Sequence, residues 1–368
     1  MRIWVLTNEY APFIIGGLGT VATNLTQSLA AGGAEMTVFT RGRQQRPSIV
    51  REKSLRLVRI PRESYQGSFL QGLARRKGWK KPDLIHIHSV PFADAAMLCK
   101  QRWGIPVVYT CHSLVVQESL TPRRRLVAKR QEKLLHAADC VVVPSQWQKE
   151  SLQTLYPFCY GKTVVIENGV HVRKKPGSSP RHRLLFVGRL TYSKGIAELI
   201  EAVAQLAKVN PKTRLGIVGK GIGKFERKLK QKAARLKVAG RIRWLGFRQP
   251  EEVRRLYGSY GAVIVPSRRE SFGLVALEAL ASGVPLVSTT SGGLAQIVSS
   301  EVAEVVPAVN KDAIAKAVQN MWAEKEHTKE RVQAGLAAAA KYSWKAIAAR
   351  YRGLFESITA GEEEAMDV

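Results

Sequence analysis

Glu270 and Glu278 stand eight residues apart in the segment Pro266-Ser267-Arg268-Arg269-Glu270-Ser271-Phe272-Gly273-Leu274-Val275-Ala276-Leu277-Glu278-Ala279. The pattern reads as a strand ending at Pro266, a loop carrying Glu270 and a helix starting near Ser271. At such a junction the backbone N–H groups of Phe272, Gly273 and Leu274 would face a phosphate, and Gly273 would let it approach closely. Glu278 falls on the helix face of Ser271 and Leu274, one turn deeper, where a carboxylate accepts two hydrogen bonds from a ribose diol. Glu270, outside the helix, can meet hydroxyls of a sugar attached to that phosphate. The helix dipole alone would favour an acid at Glu270. It does not account for Glu278, which is set among Leu277, Ala279 and Leu280.

Arg189 and Lys194 are five residues apart, one at a strand end and one just before a helix. There they can bracket a diphosphate, the guanidinium by planar bidentate contact and the ammonium as a point charge, and stabilise charge growing on a leaving nucleotide. The plainer alternative is two surface cations in a basic chain. Gly17-Leu18-Gly19-Thr20-Val21-Ala22 formally fits a dinucleotide fingerprint. However, Thr7 to Ile15 separate it from its strand, and Arg41 stands where an acid should, which disfavours NAD. His86 and His88 share a strand face and with His112 invite a metal reading. No carboxylate or cysteine is placed to finish such a site, and hydrogen-bonded buried histidines are the commoner outcome. There is no Asp-x-Asp motif, so no metal is expected.

These residues need a scaffold, and 368 residues are enough for about two domains. Short β-branched runs alternate with amphipathic stretches: strands at Ile3–Leu6, Met36–Thr40, Leu84–His88, Val107–Thr110, Val141–Pro144 and Val164–Glu167, with a helix near Gly19–Ala31. The pattern restarts with strands at Leu184–Val187, Arg214–Val218, Ile242–Leu245, Ala262–Pro266 and Leu286–Thr289. Helices are expected at Gly195–Lys208, Lys224–Leu236, Val275–Ala281, Asp312–Trp322, Glu330–Lys341 and Lys345–Ile358. Unbroken apolar strands indicate parallel sheets covered on both faces. The fold class is therefore α/β, with two βα domains joined by a Pro-, Gly- and Ser-rich linker at 172–180.

Lys and Arg number 58 against 29 Asp and Glu, a net +29, and such a field favours anionic partners. The stretch from Met1 to Pro82 has 14 Lys and Arg against 4 Glu. Four scattered cysteines, Cys99, Cys111, Cys140 and Cys159, argue against a disulfide scaffold or zinc cluster. The start turns polar at Thr7-Asn8-Glu9, and no uncharged apolar run reaches about 18 residues. A cytoplasmic protein is expected.

The Glu-x7-Glu segment resembles the signature of retaining nucleotide-sugar glycosyltransferases of the GT-B fold, in particular glycosyltransferase family 4. The resemblance spans almost the whole chain: Gly16-Gly17, His86-Ile87-His88, Thr110-Cys111-His112, Val143-Pro144-Ser145, Asn168-Gly169-Val170, Gly188-Arg189-Leu190 with Lys194-Gly195, Gly219-Lys220-Gly221, Gly246-Phe247, Ser291-Gly292-Gly293 and Tyr342-Ser343-Trp344. It implies two Rossmann-like βαβ domains facing across a cleft. Residues 1–171 would form the acceptor side, 181–340 the donor side, and a terminal helix at 344–358 would cross back to the first domain. It further implies catalytic roles for His112, Arg189, Lys194 and Glu270. Donor binding would fall to Gly16, Gly17, Gly219, Phe247, Ser271, Phe272, Gly273, Leu274 and Glu278. No cofactor is implied beyond the nucleotide-diphosphate sugar, most simply UDP-linked, as co-substrate.

The chain departs from the family at His171, where Asp is frequent after Asn-Gly-Val, and at Gln296, where Glu is frequent. It also has Ile14-Ile15 before Gly16-Gly17 in place of the Lys-Thr of glycogen and starch synthases, which points away from an α-glucan synthase. The expected activity is hexosyl transfer to a glycan, lipid-linked or small-molecule acceptor. An epimerase of the same fold, or a non-catalytic basic binding protein, are the alternatives. No specific nucleic acid is expected. A basic surface of Arg41, Arg43, Arg46, Arg51, Lys53, Arg75, Arg76, Lys77, Lys80, Lys81 and Arg123-Arg124-Arg125 makes an anionic inner membrane face a candidate partner.

Overall fold

The computed structural model describes residues 1–42, 46–61, 80–118, 121–173 and 180–361. Arg43, Arg75, Arg76 and Lys77 of the expected basic surface, and 174–179 of the expected linker, lie outside the described residues, as does the side chain of Arg123. Internal contacts divide the chain into one unit of Met1–Gly169 with Trp344–Val368 and a second of Val170–Ser343.

The first unit is built on β1 (Arg2–Thr7), β2 (Glu35–Arg41), β3 (Ser48–Glu52), β4 (Leu55–Ile60), β5 (Leu84–Ile87), β6 (Val107–Thr110), β7 (Cys140–Val143) and β8 (Thr163–Val165). Their spatial order is β3-β4-β2-β1-β5-β6-β7-β8, and every pairing but β3 with β4 is parallel. β5, β6 and β7 are buried along their whole length, as expected of a sheet covered on both faces. Its helices are α1 (Gly17–Ala31), α2 (Ala93–Trp103), α3 (Pro122–Ala137) and α4 (Gln146–Leu155). The terminal helix, Trp344–Ala360, also belongs here. It buries Trp344, Ile347, Ala348, Tyr351, Leu354 and Phe355 at helical spacing. Gly169 has no side chain because a Cβ there would fall 2.3 Å from the Trp344 indole.

The β3–β4 hairpin escapes the apolar pattern. Four of the five β3 residues are exposed, and Arg51 sits opposite Arg56. Charge on an edge strand prevents edge-to-edge pairing and erases the hydrophobic signal. The basic helix α3 is missed for a related reason: most of its residues are charged or polar.

The second unit has β9 (Arg183–Val187), β10 (Arg214–Val218), β11 (Ile242–Gly246), β12 (Ala262–Val265), β13 (Leu286–Ser288) and β14 (Glu304–Val305). All pairings are parallel, in the order β11-β10-β9-β12-β13-β14. Counted within the unit this is 3-2-1-4-5-6, the doubly wound dinucleotide-fold order, in which ligands bind at the carboxyl ends where the winding reverses. Here the reversal lies between β9 and β12. The helices are α5 (Ile196–Val209), α6 (Gly223–Arg235), α7 (Pro250–Tyr257), α8 (Leu274–Ala281), α9 (Lys311–Ala323) and α10 (Lys325–Ala340). Several helix starts differ from expectation, α1 by two residues at Gly17. α10 begins at Lys325 rather than Glu330, because its first turn is polar and carries no periodic signal. α8 begins at Leu274, one residue before the expected Val275 and three after Ser271, with Gly273 at a left-handed φ of 105° as its N-cap.

Candidate active site

The loops leaving β9 and β12 diverge at the winding reversal of the second unit, and the sequence fastens them together. After β9, Arg189 is exposed while Leu190 is buried and donates its N–H to the Lys220 carbonyl. The chain then turns through Tyr192–Lys194 into Gly195, at φ 65°. A Cβ on Gly195 would lie 2.0 Å from the Pro266 carbonyl oxygen, so only glycine lets the two loops come this close. Across that contact Lys194 Nζ donates to Glu270 Oε1 at 2.5 Å. The Ser267 hydroxyl donates to the same oxygen at 2.9 Å. The Glu270 carbonyl accepts from Gly293 N–H, which fixes its backbone as well. Arg268 adds a second clasp: its guanidinium bonds Glu198 at 2.8 Å and lies 3.9 Å over the Tyr192 ring.

Glu278 is half-buried on α8, and the Tyr257 hydroxyl donates to its Oε2 at 2.7 Å. Burial pushes the Glu278 carboxyl up to about 7, against the opposing pull of that hydrogen bond. Tyr257 itself is pushed well above its usual range, by burial and then by the Glu278 charge. That bond engages one of the two carboxyl oxygens, Oε2.

The shifted helix start changes which groups greet an anion. The first intrahelical bond runs from Leu277 N–H to the Gly273 carbonyl. The donors without an intrahelical acceptor are therefore those of Gly273, Leu274, Val275 and Ala276, which share Gly273 and Leu274 with the expected Phe272–Leu274 set. The Phe272 side chain is core, 1% exposed, with its ring edge-on to Tyr342. A Cβ on Gly273 would meet Leu294 Cδ2 at 2.3 Å, so this glycine answers both a backbone twist and a packing neighbour. Gly219, at φ 136°, would place a Cβ 1.9 Å from the Gly188 carbonyl oxygen. Its N–H bonds the Gly246 carbonyl at 2.8 Å, beside half-buried Phe247. Ser271 precedes the cap, half-buried.

Gly16, Gly17 and His112 lie in the first unit. Gly16 and Gly17 are exposed, but the Gly16 N–H is already engaged: Glu9 Oε2 accepts from Gly16 N at 3.0 Å and from Ile15 N at 2.8 Å. The Gly16 N–H, in a residue expected to bind the donor, is thus held by a carboxylate of the chain's own. Gly19 serves the same arrangement, since a Cβ there would sit 2.7 Å from the Glu9 Cβ. The fingerprint glycine thus accommodates a side chain from the long loop rather than a dinucleotide.

His112 follows β6, half-buried, in a loop pinned from both sides. Gln148 Nε2 on α4 donates to the Cys111 carbonyl at 2.7 Å, and Gln131 Nε2 on α3 to the Ser113 carbonyl at 2.9 Å. His88 Nδ1 and His112 Nε2 are 2.9 Å apart, and His86 Nε2 meets the Thr110 hydroxyl at 2.7 Å. Burial pulls His112 down to about 4 and His86 to about 3, so these imidazoles are neutral at physiological pH. Tyr257, Gln131, Gln148 and Glu9 were not singled out from the sequence. A glutamine facing inward from an amphipathic helix was the available signal for Gln131 and Gln148.

A doubly wound α/β unit with a paired cation and carboxylate at its winding reversal, repeated by a second such unit, defines a GT-B architecture. Comparison with known proteins agrees. The model of glycosyltransferase family 4 matches residues 15–174, and that of glycosyl transferases group 1 matches residues 170–338. The chain belongs to this family of glycosyltransferases. It is 27% identical to the glycogen synthase of Mycobacterium tuberculosis, over 99% of this chain and 96% of the relative. It is 29% identical to the D-inositol 3-phosphate glycosyltransferase of Corynebacterium glutamicum, over 94% and 93%. Among solved structures, sucrose-phosphate synthase from Thermosynechococcus elongatus superposes with a TM-score of 0.82 at 23% identity, over 98% and 100% of the two chains. Anabaena HepE in complex with UDP and glucose gives 0.76 at 18%, over 97% and 100%.

Proposed function

We propose that this glycosyltransferase is a retaining, metal-independent hexosyltransferase that takes its sugar from a nucleotide diphosphate, most simply UDP. The observation that carries the reading is the Lys194–Glu270 pair, at 2.5 Å, on loops that diverge at the winding reversal with Arg189 on the same β9 loop. Lys194 and Arg189 then neutralise the diphosphate as the glycosidic bond breaks, the part a divalent cation plays elsewhere. Glu270, oriented by Lys194 and Ser267, accepts from sugar hydroxyls. Glu278 accepts from the ribose diol with the oxygen that Tyr257 leaves open. The first-turn N–H groups of Leu274, Val275 and Ala276 supply further donors. HepE complexes with UDP and with UDP-glucose support the choice of nucleotide.

No carboxylate stands out as a nucleophile for double displacement. The acceptor therefore attacks on the face the nucleotide leaves, and the departing phosphate takes the acceptor proton. The acceptor is held by the first unit and is a glycan, a lipid-linked sugar or a small molecule. Among the described residues no helix is long and apolar enough to cross a membrane. Exposed Arg46, Arg51, Lys53, Lys80, Lys81 and Arg125 support peripheral contact with an anionic membrane face.

Isothermal titration with UDP, GDP and ADP, followed by donor hydrolysis and the anomeric configuration of the product, tests this reading. UDP should bind most tightly, the configuration should be kept, and activity should survive EDTA. An inverted product, or activity lost to the chelator and restored by manganese, would overturn the retaining or the metal-independent part.

A further inference from the structure

We infer that His88 acts as a positioning residue that holds His112 in one tautomer, with its proton on Nδ1, so that His112 meets the substrate as a hydrogen-bond donor rather than as a base. The inference rests on the catalytic role that the family resemblance implies for His112.

His88 Nδ1 and His112 Nε2 are 2.9 Å apart, with ring centroids 5.2 Å apart and the ring planes within 19° of parallel, so the rings meet edge to edge. Two neutral imidazoles at this distance share one proton, and there are two ways to place it. If His112 Nε2 carries the proton, His88 must carry its own on Nε2. That nitrogen is buried and has no partner, so an N–H would be orphaned in the interior. If His88 Nδ1 carries the shared proton and donates it to His112 Nε2, the orphan at His88 Nε2 is only a lone pair. Buried unpaired donors are the rarer and costlier defect, so the second arrangement prevails. It leaves His112 with its remaining proton on Nδ1.

The surroundings keep His88 in this role. It is 2% exposed, and its ring centroid lies 4.2 Å from that of His86. His86 is in turn fixed by the Thr110 hydroxyl, which also meets the Tyr351 hydroxyl at 3.1 Å. The rings of Tyr351 and Phe355, both on the terminal helix, pack against His86. The terminal helix thus braces His86, His86 braces His88, and His88 sets the proton on His112. A tautomer fixed by a second histidine needs no nearby carboxylate and leaves the site without added charge.

Long-range 1H–15N correlation spectra of the full-length, 15N-labelled protein test the inference directly. The His112 resonances are assigned by their loss in His112→Gln. His112 should show a protonated Nδ1 and a pyridine-like Nε2, and His88 a protonated Nδ1. A protonated Nε2 on His112 would overturn the inference, whatever the variants do. In transfer assays His88→Phe, which removes the donor, should lower kcat roughly 3- to 10-fold with KM for the donor little changed. His88→Asn, whose amide N–H stands near the place of Nδ1–H, should restore most of it. Equal loss in both variants with the wild-type spectrum as expected would reduce His88 to a packing residue and overturn its positioning role. If His112→Ala transfers sugar at the full rate, the catalytic role of His112 fails while the tautomer assignment stands on the spectra.

Discussion

The two units carry parallel sheets of one design, yet the polar groups at their carboxyl edges are opposite in kind. In the second unit they are charged and held in pairs: Lys194 on Glu270 at 2.5 Å and Arg268 on Glu198 at 2.8 Å, with Glu278 tied to the Tyr257 hydroxyl. In the first unit the groups in and after β5 and β6 include neutral imidazoles held by other neutral groups, beside ion pairs of Glu118 with Arg124 and of Glu167 with Arg350, and Glu9 spends its charge on two backbone N–H groups. The first arrangement suits an edge that meets a diphosphate, where fixed countercharges lower the cost of a leaving anion. The second suits an edge that orients uncharged hydroxyls, where geometry matters and stray charge would compete.

The glycines should separate the two edges most sharply. Gly219→Ala meets both a left-handed φ of 136° and a carbonyl oxygen 1.9 Å away. Thermal and denaturant unfolding should show a loss of roughly 2–5 kcal/mol, from strain and overpacking together. A variant as stable as the parent would show that the loops after β9 and β10 are not held as described.

Removal of charge comes next. Arg189→Ala should lower kcat/KM by about one to two decades, or about 1.5–3 kcal/mol, with unchanged melting. Glu278→Ala should be as damaging to transfer but should also destabilise, because the Tyr257 hydroxyl, buried at 1% exposure, loses its acceptor. Full activity in either variant would remove the second edge from the chemistry.

Glu278 also predicts a pH dependence of stability. Its carboxyl is raised from 4.5 to about 7 in the folded chain, so the folded state holds a proton that the unfolded chain loses over that interval. The contribution is full below about pH 4.5 and disappears as pH rises through 7. Relative to Glu278→Gln, the parent should lose ~2 kcal/mol between pH 5 and 7.5. Parallel melting curves for the two proteins over that range would refute it.

The basic surface of the first unit gives a smaller effect per residue. Each exposed cation is worth about 1 kcal/mol at an anionic bilayer, screened over roughly 8 Å at physiological salt. Co-sedimentation with phosphatidylserine vesicles should appear at low salt and vanish as salt is added. Indifference to anionic vesicles at low salt would end the membrane proposal and leave the transferase reading intact. The smallest effect is expected at Gly16→Ala. Gly16 has extended backbone, nothing lies within 4 Å of its would-be Cβ, and unfolding should change by no more than about 0.5 kcal/mol.

Most of the buried strands and amphipathic helices are legible in the sequence, whereas the charged β3–β4 hairpin and the basic helix α3 are not. Unbroken β-branched runs at Val107–Thr110 and Ala262–Val265 require strands buried on both faces, and the amphipathic stretches between them require covering helices, because period and burial are local properties of the chain. The sequence also picked out Glu270, Glu278, Arg189 and Lys194 by type and spacing. What it left open is whatever depends on meetings across the chain. Lys194 and Glu270 are 76 residues apart, and their pairing follows from the strand order and from Gly195 yielding its Cβ space to Pro266. Tyr257 under Glu278, Glu9 on Gly16, and Gln131 and Gln148 around His112 leave no periodic trace, since one polar residue on an apolar face looks alike whether it is idle or bonded. The left-handed backbone of Gly273, packed against Leu294, puts the start of α8 at Leu274, three residues after Ser271 and one before Val275. Local propensity writes the parts of a fold, whereas the hydrogen bonds of a site join residues distant in sequence, and only the packed structure decides which of them meet.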